Sequence, residues 1–276
     1  MRRSVIPGFG LGLGITLLYL GAIVLLPLAA LILKASDIGA AQLWAILSSP
    51  RTLAAIRLTV TMALAATIFN AIYGTLLAWV LARYTFPGKR VLDALVDVPF
   101  ALPTAVAGLA LTALFAKTGW FGSVLEPLGL SVVYTPLGIG IAMAFTSIPF
   151  VVRTVQPVIE DLGSDVEEAS RSLGASDLQI LAKIIFPSIF PALLAGASLA
   201  FARSLGEFGA VIFIAGNQPM KTEIVALLAF IRLEEYDYPA AAAIATVMLV
   251  MAFAMLIVTN AVQAWQLRYL GRGNAK

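Results

Sequence analysis

Apolar residues dominate this chain so thoroughly that its few polar positions mark out the elements. Predominantly apolar runs cover residues 10–33, 58–82, 94–116, 132–152, 192–215 and 239–262. Each is near the ~20 residues that a helix needs to cross the hydrocarbon core of a bilayer. Lipid offers no hydrogen-bond partner to open backbone groups, so long continuous runs of this kind are predicted as helices. The pattern predicts an all-α integral membrane bundle of six transmembrane helices, a single domain over residues 1–276. The connections between runs are short and leave no room for a soluble catalytic domain.

One connector breaks the pattern. Residues 159–187 read IEDLGSDVEEASRSLGASDLQILAKIIFP and hold six of the fifteen acids: Glu160, Asp161, Asp165, Glu167, Glu168 and Asp177. Ser164 with Glu167 three residues on is a capping box, which starts a helix. Asp165, Glu167 and Glu168 crowd its first turn, where the helix dipole favours acids. Val166, Ala169 and Leu173 then share one face, and Gly174 ends the helix, because glycine accepts the left-handed C-terminal conformation. Ser176 and Gln179 form a second capping box, opening a helix through Ile180, Leu181, Ile184 and Ile185 until Pro187. The prediction is a helix over 165–173, a sharp turn, and a second helix, lying parallel or oblique to the membrane. A short helix with a small apolar face and a charged rim suits a groove on another protein. A solvated connector between two spans is the other account of the same residues.

Composition agrees with the pattern and charge orients it. The chain is 61% hydrophobic and 12% charged, with a mean hydropathy of +0.96, too apolar for an ordinary soluble domain. With the N-terminus inside, eleven cations fall on inner segments (Arg2, Arg3, Arg83, Lys89, Arg90, Arg153, Arg171, Lys183, Arg268, Arg272, Lys276). Six fall outside (Lys34, Arg51, Arg57, Lys117, Lys221, Arg232). The positive-inside rule then puts both termini and the acidic connector in the cytoplasm. The net charge of +3 is this topology signal, not a nucleic-acid patch. The uncharged run from Ser4 to Leu33 exceeds the ~7–15 residues of a signal-peptide core, so the first span is expected to stay as an anchor. Gly8, Gly10, Gly12 and Gly14 either permit close helix contact or loosen an entry turn after Pro7.

Absences exclude chemistry. Without Cys or His there is no disulfide, thiolate nucleophile, Ser-His-Asp triad or HExxH site. Lys89 follows Pro-Gly but lacks the glycine spacing and the following Ser/Thr of a phosphate loop. The chain is therefore expected to be a transport component and not an enzyme.

The connector carries a resemblance. Glu168, Ala169, Gly174, Ile184 and Pro187 match the pattern E-A-A-x3-G-x9-I-x-L-P, departing from it at Ser170 and Phe186. This pattern is the signature of permease subunits of bacterial ABC importers. Residues 83–109 (RYTFPGKRVLDALVDVPFALPTAVAGL), 145–158 (FTSIPFVVRTVQPV), 202–217 (ARSLGEFGAVIFIAGN) and 232–240 (RLEEYDYPA) resemble the sulfate/thiosulfate branch, T-type membrane subunit. The molybdate/tungstate permeases share several of these themes and remain an alternative cargo class. The resemblance implies a type I importer permease of the inner membrane, working by alternating access. Its implied partners are a cytoplasmic ATP-binding subunit that holds ATP and magnesium, a second related permease, and a periplasmic sulfate/thiosulfate-binding protein. No cofactor is implied in this chain. Ser164, Asp165, Glu167, Glu168, Ala169, Ser170, Leu173 and Gly174 would couple it to the ATPase. A secondary anion transporter is the competitor of another class; it should show internal repeats and buried relays, which the sequence lacks.

Three further groups stand out. Arg203 and Glu207 are the charges deep in the fifth span, and their spacing puts them on one helix face. They form either a salt bridge that pins the helix or an electropositive station for an oxyanion, with Ser204 and the backbone of Gly206 and Gly209 allowing close approach. Asp97, beside Pro99 and Pro103, has no assigned partner and is expected to be a solvated helix-end carboxylate aligned with Asp93. On the outer side, Thr222 and Glu223 begin a helix over 224–233 ending in Glu234, Glu235 and Asp237. This acidic rim serves either a delivery protein or simple solubility.

Overall fold

The computed structural model describes residues 9–163 and 165–273, with 262–273 as backbone only. Ser164, the predicted cap, and Gly8 lie outside the described residues. Secondary structure among the described residues is entirely helical. In chain order the helices are α1 (Phe9–Ser36, with a π turn at Gly21–Leu25), α2 (Ala40–Leu47), α3 (Pro50–Arg83), α4 (Lys89–Ala101) and α5 (Thr104–Phe115). There follow α6 (Pro136–Asp161), α7 (Asp165–Ser172), α8 (Asp177–Leu205, with a π turn at Leu181–Ile185), α9 (Gly209–Ala215), α10 (Val225–Glu234) and α11 (Tyr238–Gly273).

Five helices are long and apolar enough to cross a membrane: α1, α3, α6, α8 and the Tyr238–Ala261 part of α11. The sixth predicted span, 94–116, is not one straight helix. It is the pair α4–α5, bent by 116° at its break. Pro103 explains the break: a proline pushes the residue before it out of the helical region, and Leu102 is extended at φ −81°, ψ 134°. The fifth span, 192–215, is broken as well. Helix α8 stops at Leu205, and α9 begins only after Gly206, Glu207 and Phe208.

Helices α3, α6 and α8 form the trunk, packed mutually along their lengths. Small residues allow the close approach. At Gly74 an added Cβ would lie 3.1 Å from the Val151 side chain. One apolar cluster on this trunk takes in Ala63, Met143, Leu205 and residues of α9 and α10. A second takes in Leu81, Val152, Ile159, Ile180 and Ile189 beside the acidic connector. Helix α1 stands apart, its apolar residues largely exposed, and touches the bundle where Ala35 meets Ala242 and Ala243. Nothing lies within 4 Å of the Cβ positions of Gly10, Gly12 or Gly14, so no helix among the described residues uses their predicted small-residue contact.

Candidate functional site

The acidic connector folds as a helix and a hinge, closely as predicted. Helix α7 covers Asp165–Ser172. Its end is sealed by the Gly174 N–H donating to the Arg171 carbonyl at 2.9 Å and the Ala175 N–H donating to the Ser170 carbonyl at 3.0 Å. Gly174 sits at φ +85°, the left-handed region where a glycine costs least. Both halves of the second capping box form. The Gln179 N–H donates to Ser176 Oγ at 3.4 Å, and the Ser176 N–H donates to Gln179 Oε1 at 3.0 Å. The helix it opens does not stop at Pro187, as predicted, but runs on to Leu205. The π turn is the reason: the Phe186 N–H reaches back to the Leu181 carbonyl, a widened turn that accommodates the ring and missing N–H of Pro187. The hinge at Gly174 is therefore joined directly to the membrane helix that carries Arg203.

Charges tie α7 down on one side and leave the other free. Glu167, mostly buried, accepts from Arg83 Nη2 at 2.8 Å. Its other oxygen lies 3.8 Å from Arg171, which pairs with Asp177 at 3.1 Å. Arg83 also stacks its guanidinium over Trp79, 5.4 Å from the ring centroid. Asp165, Val166, Glu168 and Ala169 remain exposed, and Leu173 is 90% exposed. Ser170 is half-buried and donates to the Val166 carbonyl, one turn back in the same helix, at 2.7 Å. The predicted apolar face is thus present and uncovered among the described residues.

Within the membrane, Arg203 Nη1 lies 2.6 Å from Glu207 Oε2. The pair forms although α8 has ended between its members, because the Glu207 side chain folds back across the break. Its Oε1 accepts from the Ala210 N–H at 2.8 Å, in the first turn of α9. Ser204 is buried and donates to Ser147 Oγ at 3.2 Å. Gly206 is exposed, with only the Ala202 and Arg203 carbonyls, both at 3.9 Å, near its Cβ position. Gly209 instead abuts the start of α5, where an added Cβ would lie 3.0 Å from Thr104 Cβ. The two broken spans therefore meet at the level of this pair.

Three arrangements escaped the sequence reading. Asp97 is not a free carboxylate. Arg153 of α6 grips it through Nε (2.8 Å) and Nη2 (2.7 Å) and reaches Asp93 through Nη1 (2.6 Å). An arginine inside a span requires a partner, and that rule, applied to Arg153, points at the two aspartates one turn apart. Glu223, expected only to begin the outer helix, is buried and accepts two hydrogen bonds from Arg51, at 2.7 and 2.8 Å. Of the rim acids, Glu235 pairs with Arg232 at 2.9 Å and Asp237 accepts from the Ala240 N–H at 3.3 Å. Finally, Asn70 donates to Ser147 Oγ (2.8 Å) and to the Ala144 carbonyl (3.0 Å). With Ser204 this makes one polar node across α3, α6 and α8; its signal was an amide in an otherwise apolar span.

Known proteins share both sequence and architecture with this chain. Residues 74–271 match the family described as "Binding-protein-dependent transport system inner membrane component". The sulfate transport system permease protein CysT of Salmonella typhimurium is 54% identical over 95% of each chain, and that of Escherichia coli 53% over the same shares. The Synechocystis protein of the same name is 46% identical over 92% of this chain and 89% of its own. These relatives are named as permeases, which are transport components and not enzymes. Among solved structures, a bacterial alginate ABC transporter in complex with an alginate-bound periplasmic protein gives a TM-score of 0.73 at 18% identity, covering 90% of this chain and 91% of that one. An inward-facing MetNI methionine ABC transporter gives 0.61 at 16% identity, covering 83% and 99%. At such identities these two speak for the fold alone. A bundle with a broken third span, an exposed acidic helix and matches over nearly its whole length belongs to the family of binding-protein-dependent transport system inner membrane components, among the sulfate permeases.

Proposed function

We propose that this chain is a membrane-spanning subunit of an ATP-driven importer of sulfate or thiosulfate, set in the inner membrane with both termini cytoplasmic. The observation that carries this reading is the helix α7, acidic, exposed and closed at Gly174, which joins it to the helix of Arg203. Such a helix is a docking element for a partner that does mechanical work. The relatives' name supplies the cargo.

In this mechanism a periplasmic binding protein delivers the oxyanion to the outer mouth. ATP and magnesium belong to a separate ATP-binding subunit, whose closure moves Asp165, Glu167, Glu168, Ala169, Ser170, Leu173 and Gly174 as one body. Because α8 is continuous from Asp177 to Leu205, movement at the hinge reaches Arg203 without passing through a flexible joint. Arg203, Ser204, Gly206 and Glu207 are the proposed station on the pathway. A second, related permease completes the channel.

The test is uptake by the reconstituted complex, with radiolabelled sulfate and competing thiosulfate or molybdate. ATP-dependent sulfate uptake inhibited by thiosulfate and not by molybdate supports the reading. Preferential inhibition by molybdate would reassign the cargo. Uptake with no ATPase retained on the purified permease would point to a secondary transporter.

A further inference from the structure

The Arg203–Glu207 pair is lopsided. Glu207 is 1% exposed at its side chain and Arg203 29%. The carboxylate is held twice, by the guanidinium at one oxygen and by the Ala210 N–H at the other. The guanidinium has five N–H donors. Its contact with Glu207 is a close approach of charges at 2.6 Å, and Gly206, three residues on at the break, is exposed. A pair built only to pin a helix would shield the cation as well as the anion, since an exposed edge adds nothing to such a role.

We propose that Glu207 is a tethered counter-anion: its carboxylate neutralises Arg203 between transport events, and the cargo oxyanion displaces it from the guanidinium in transit. The proposal rests on Arg203 being a station for a divalent oxyanion. Unneutralised, a cation at membrane depth would hold a dianion too firmly, and conduction requires a site weak enough to leave. A resident carboxylate supplies that weakness, because every arriving anion must compete with it. The displaced carboxylate keeps its hydrogen bond from the Ala210 N–H, so it is not stranded. The open space at Gly206 gives the chain room to shift. Arginine suits the exchange, since its planar fork can take two oxygens of a tetrahedral anion at once. The arrangement also selects by charge. A monovalent anion brings no more charge than the carboxylate it must displace, whereas a dianion brings twice as much.

The experiment compares the wild-type complex, Glu207→Gln, Arg203→Gln and the double variant. It measures retention of radiolabelled sulfate on the detergent-purified complex, uptake in vesicles, and inhibition of uptake by nitrate. Glutamine keeps an acceptor for the Ala210 N–H and loses the charge. Sulfate retention should rise on the order of tenfold in Glu207→Gln, the scale expected when a desolvated charge loses its competitor. Turnover should fall, and nitrate should become an inhibitor. The double variant should lose the extra retention. If Glu207→Gln alters flux while retention and nitrate inhibition stay as in the wild type, the counter-anion is refuted. Recovery of wild-type flux in the double variant would likewise make the pair structural. If Arg203→Gln lowers flux and Glu207→Gln changes nothing, the station stands and the counter-anion falls; unchanged flux in an assembled Arg203→Gln complex overturns both. Should Glu207→Gln fail to assemble, Glu207→Asp, which draws the charge back by one methylene, must still admit nitrate inhibition, and its absence there refutes the proposal.

Discussion

Arg83, in the last turn of α3, and Glu167, in α7, are joined by a 2.8 Å ion pair that fastens the acidic connector to the bundle. Both side chains are largely buried, so the pair is screened less than a surface salt bridge and is worth about 1–3 kcal/mol. Arg83→Gln should therefore free α7 without unfolding the trunk. Hydrogen exchange at residues 165–172 should quicken by one to two orders of magnitude, roughly the factor that such an energy implies. ATP turnover by the assembled complex should persist while uptake per ATP falls. Unchanged exchange in α7 would show that the pair does not hold it.

Gly174 and Glu168 bear on the docking role directly. Gly174 has φ +85°, which proline cannot adopt, and its N–H bonds the Arg171 carbonyl. Gly174→Pro should abolish co-purification of the ATP-binding subunit, or leave ATP turnover uncoupled from uptake. Gly174→Ala keeps the N–H and should cost about 1 kcal/mol of strain, with coupling reduced and not lost. Glu168→Lys reverses an exposed charge in the first turn of α7, at the proposed contact, and should weaken docking at low salt. Normal coupled uptake in both Gly174→Pro and Glu168→Lys would refute the docking assignment.

Arg153 holds α4 to α6 through two aspartates, and the bidentate grip on Asp97 demands a planar fork. Arg153→Lys keeps the charge and loses that geometry, so it should not rescue Arg153→Ala fully. Asp97→Asn should cost only about 1 kcal/mol, because half-exposed carboxylates are screened by solvent. Arg153→Ala should cost more, since it leaves two neighbouring carboxylates without a cation. Thermal unfolding of the detergent-purified chain reads all three, and equal costs for Asp97→Asn and Arg153→Ala would contradict this assignment.

Helices α5 and α9 meet backbone to backbone. A Cβ added at Gly108 would stand 2.7 Å from Ala210 Cα, so Gly108→Ala must push the two broken spans apart. Its expected cost is about 1–3 kcal/mol, the usual penalty of overpacking. Gly140→Ala is the control, because the added methyl meets only Met62 Sδ at 3.7 Å. If both variants unfold at the same temperature, α5 and α9 are not in the close contact described.

The sequence disclosed elements that depend on neighbours along the chain, and concealed those that depend on neighbours in space. The caps at Ser176 and Gln179 and the glycine stop at Gly174 are local, and they stand where the residue pattern puts them. Apolar runs located the helices, yet no run could reveal that α4 and α5 turn through 116°, since a proline inside a span can kink or break it. The end expected at Pro187 failed for a related reason: whether a helix survives a proline depends on an upstream turn that can widen. Charge partners were least legible. The i, i+4 spacing of Arg203 and Glu207 exposed that pair. Arg153 with Asp97, Arg51 with Glu223 and Arg83 with Glu167 join residues 56, 172 and 84 positions apart, and only the packed bundle brings them together.

Asn70 tests whether the polar node across the trunk is structural glue or a spare amide. The residue is 0% exposed. Its amide donates to Ser147 Oγ and the Ala144 carbonyl, while Ser204 donates to the same hydroxyl from α8. Interhelical hydrogen bonds in membrane bundles average about 0.6 kcal/mol and reach about 1.7, so Asn70→Ala should cost about 1–2 kcal/mol, including a small cavity. Asn70→Asp has nearly the same shape but removes both donated bonds and buries a carboxylate against a carbonyl. It must be protonated or destabilise the trunk by several kcal/mol, and should be worse than alanine above neutral pH, recovering as the pH falls. Ser204→Ala removes one donor and leaves the Asn70–Ser147 bond, so its cost should be the smallest of the three. A thermal-unfolding series in the order Asp, Ala, then Ser204→Ala, with the Asp variant alone dependent on pH, is the expected outcome. An Asp variant as stable as the wild type at pH 8 would mean that the node admits water and does not bind the three helices as a dry contact.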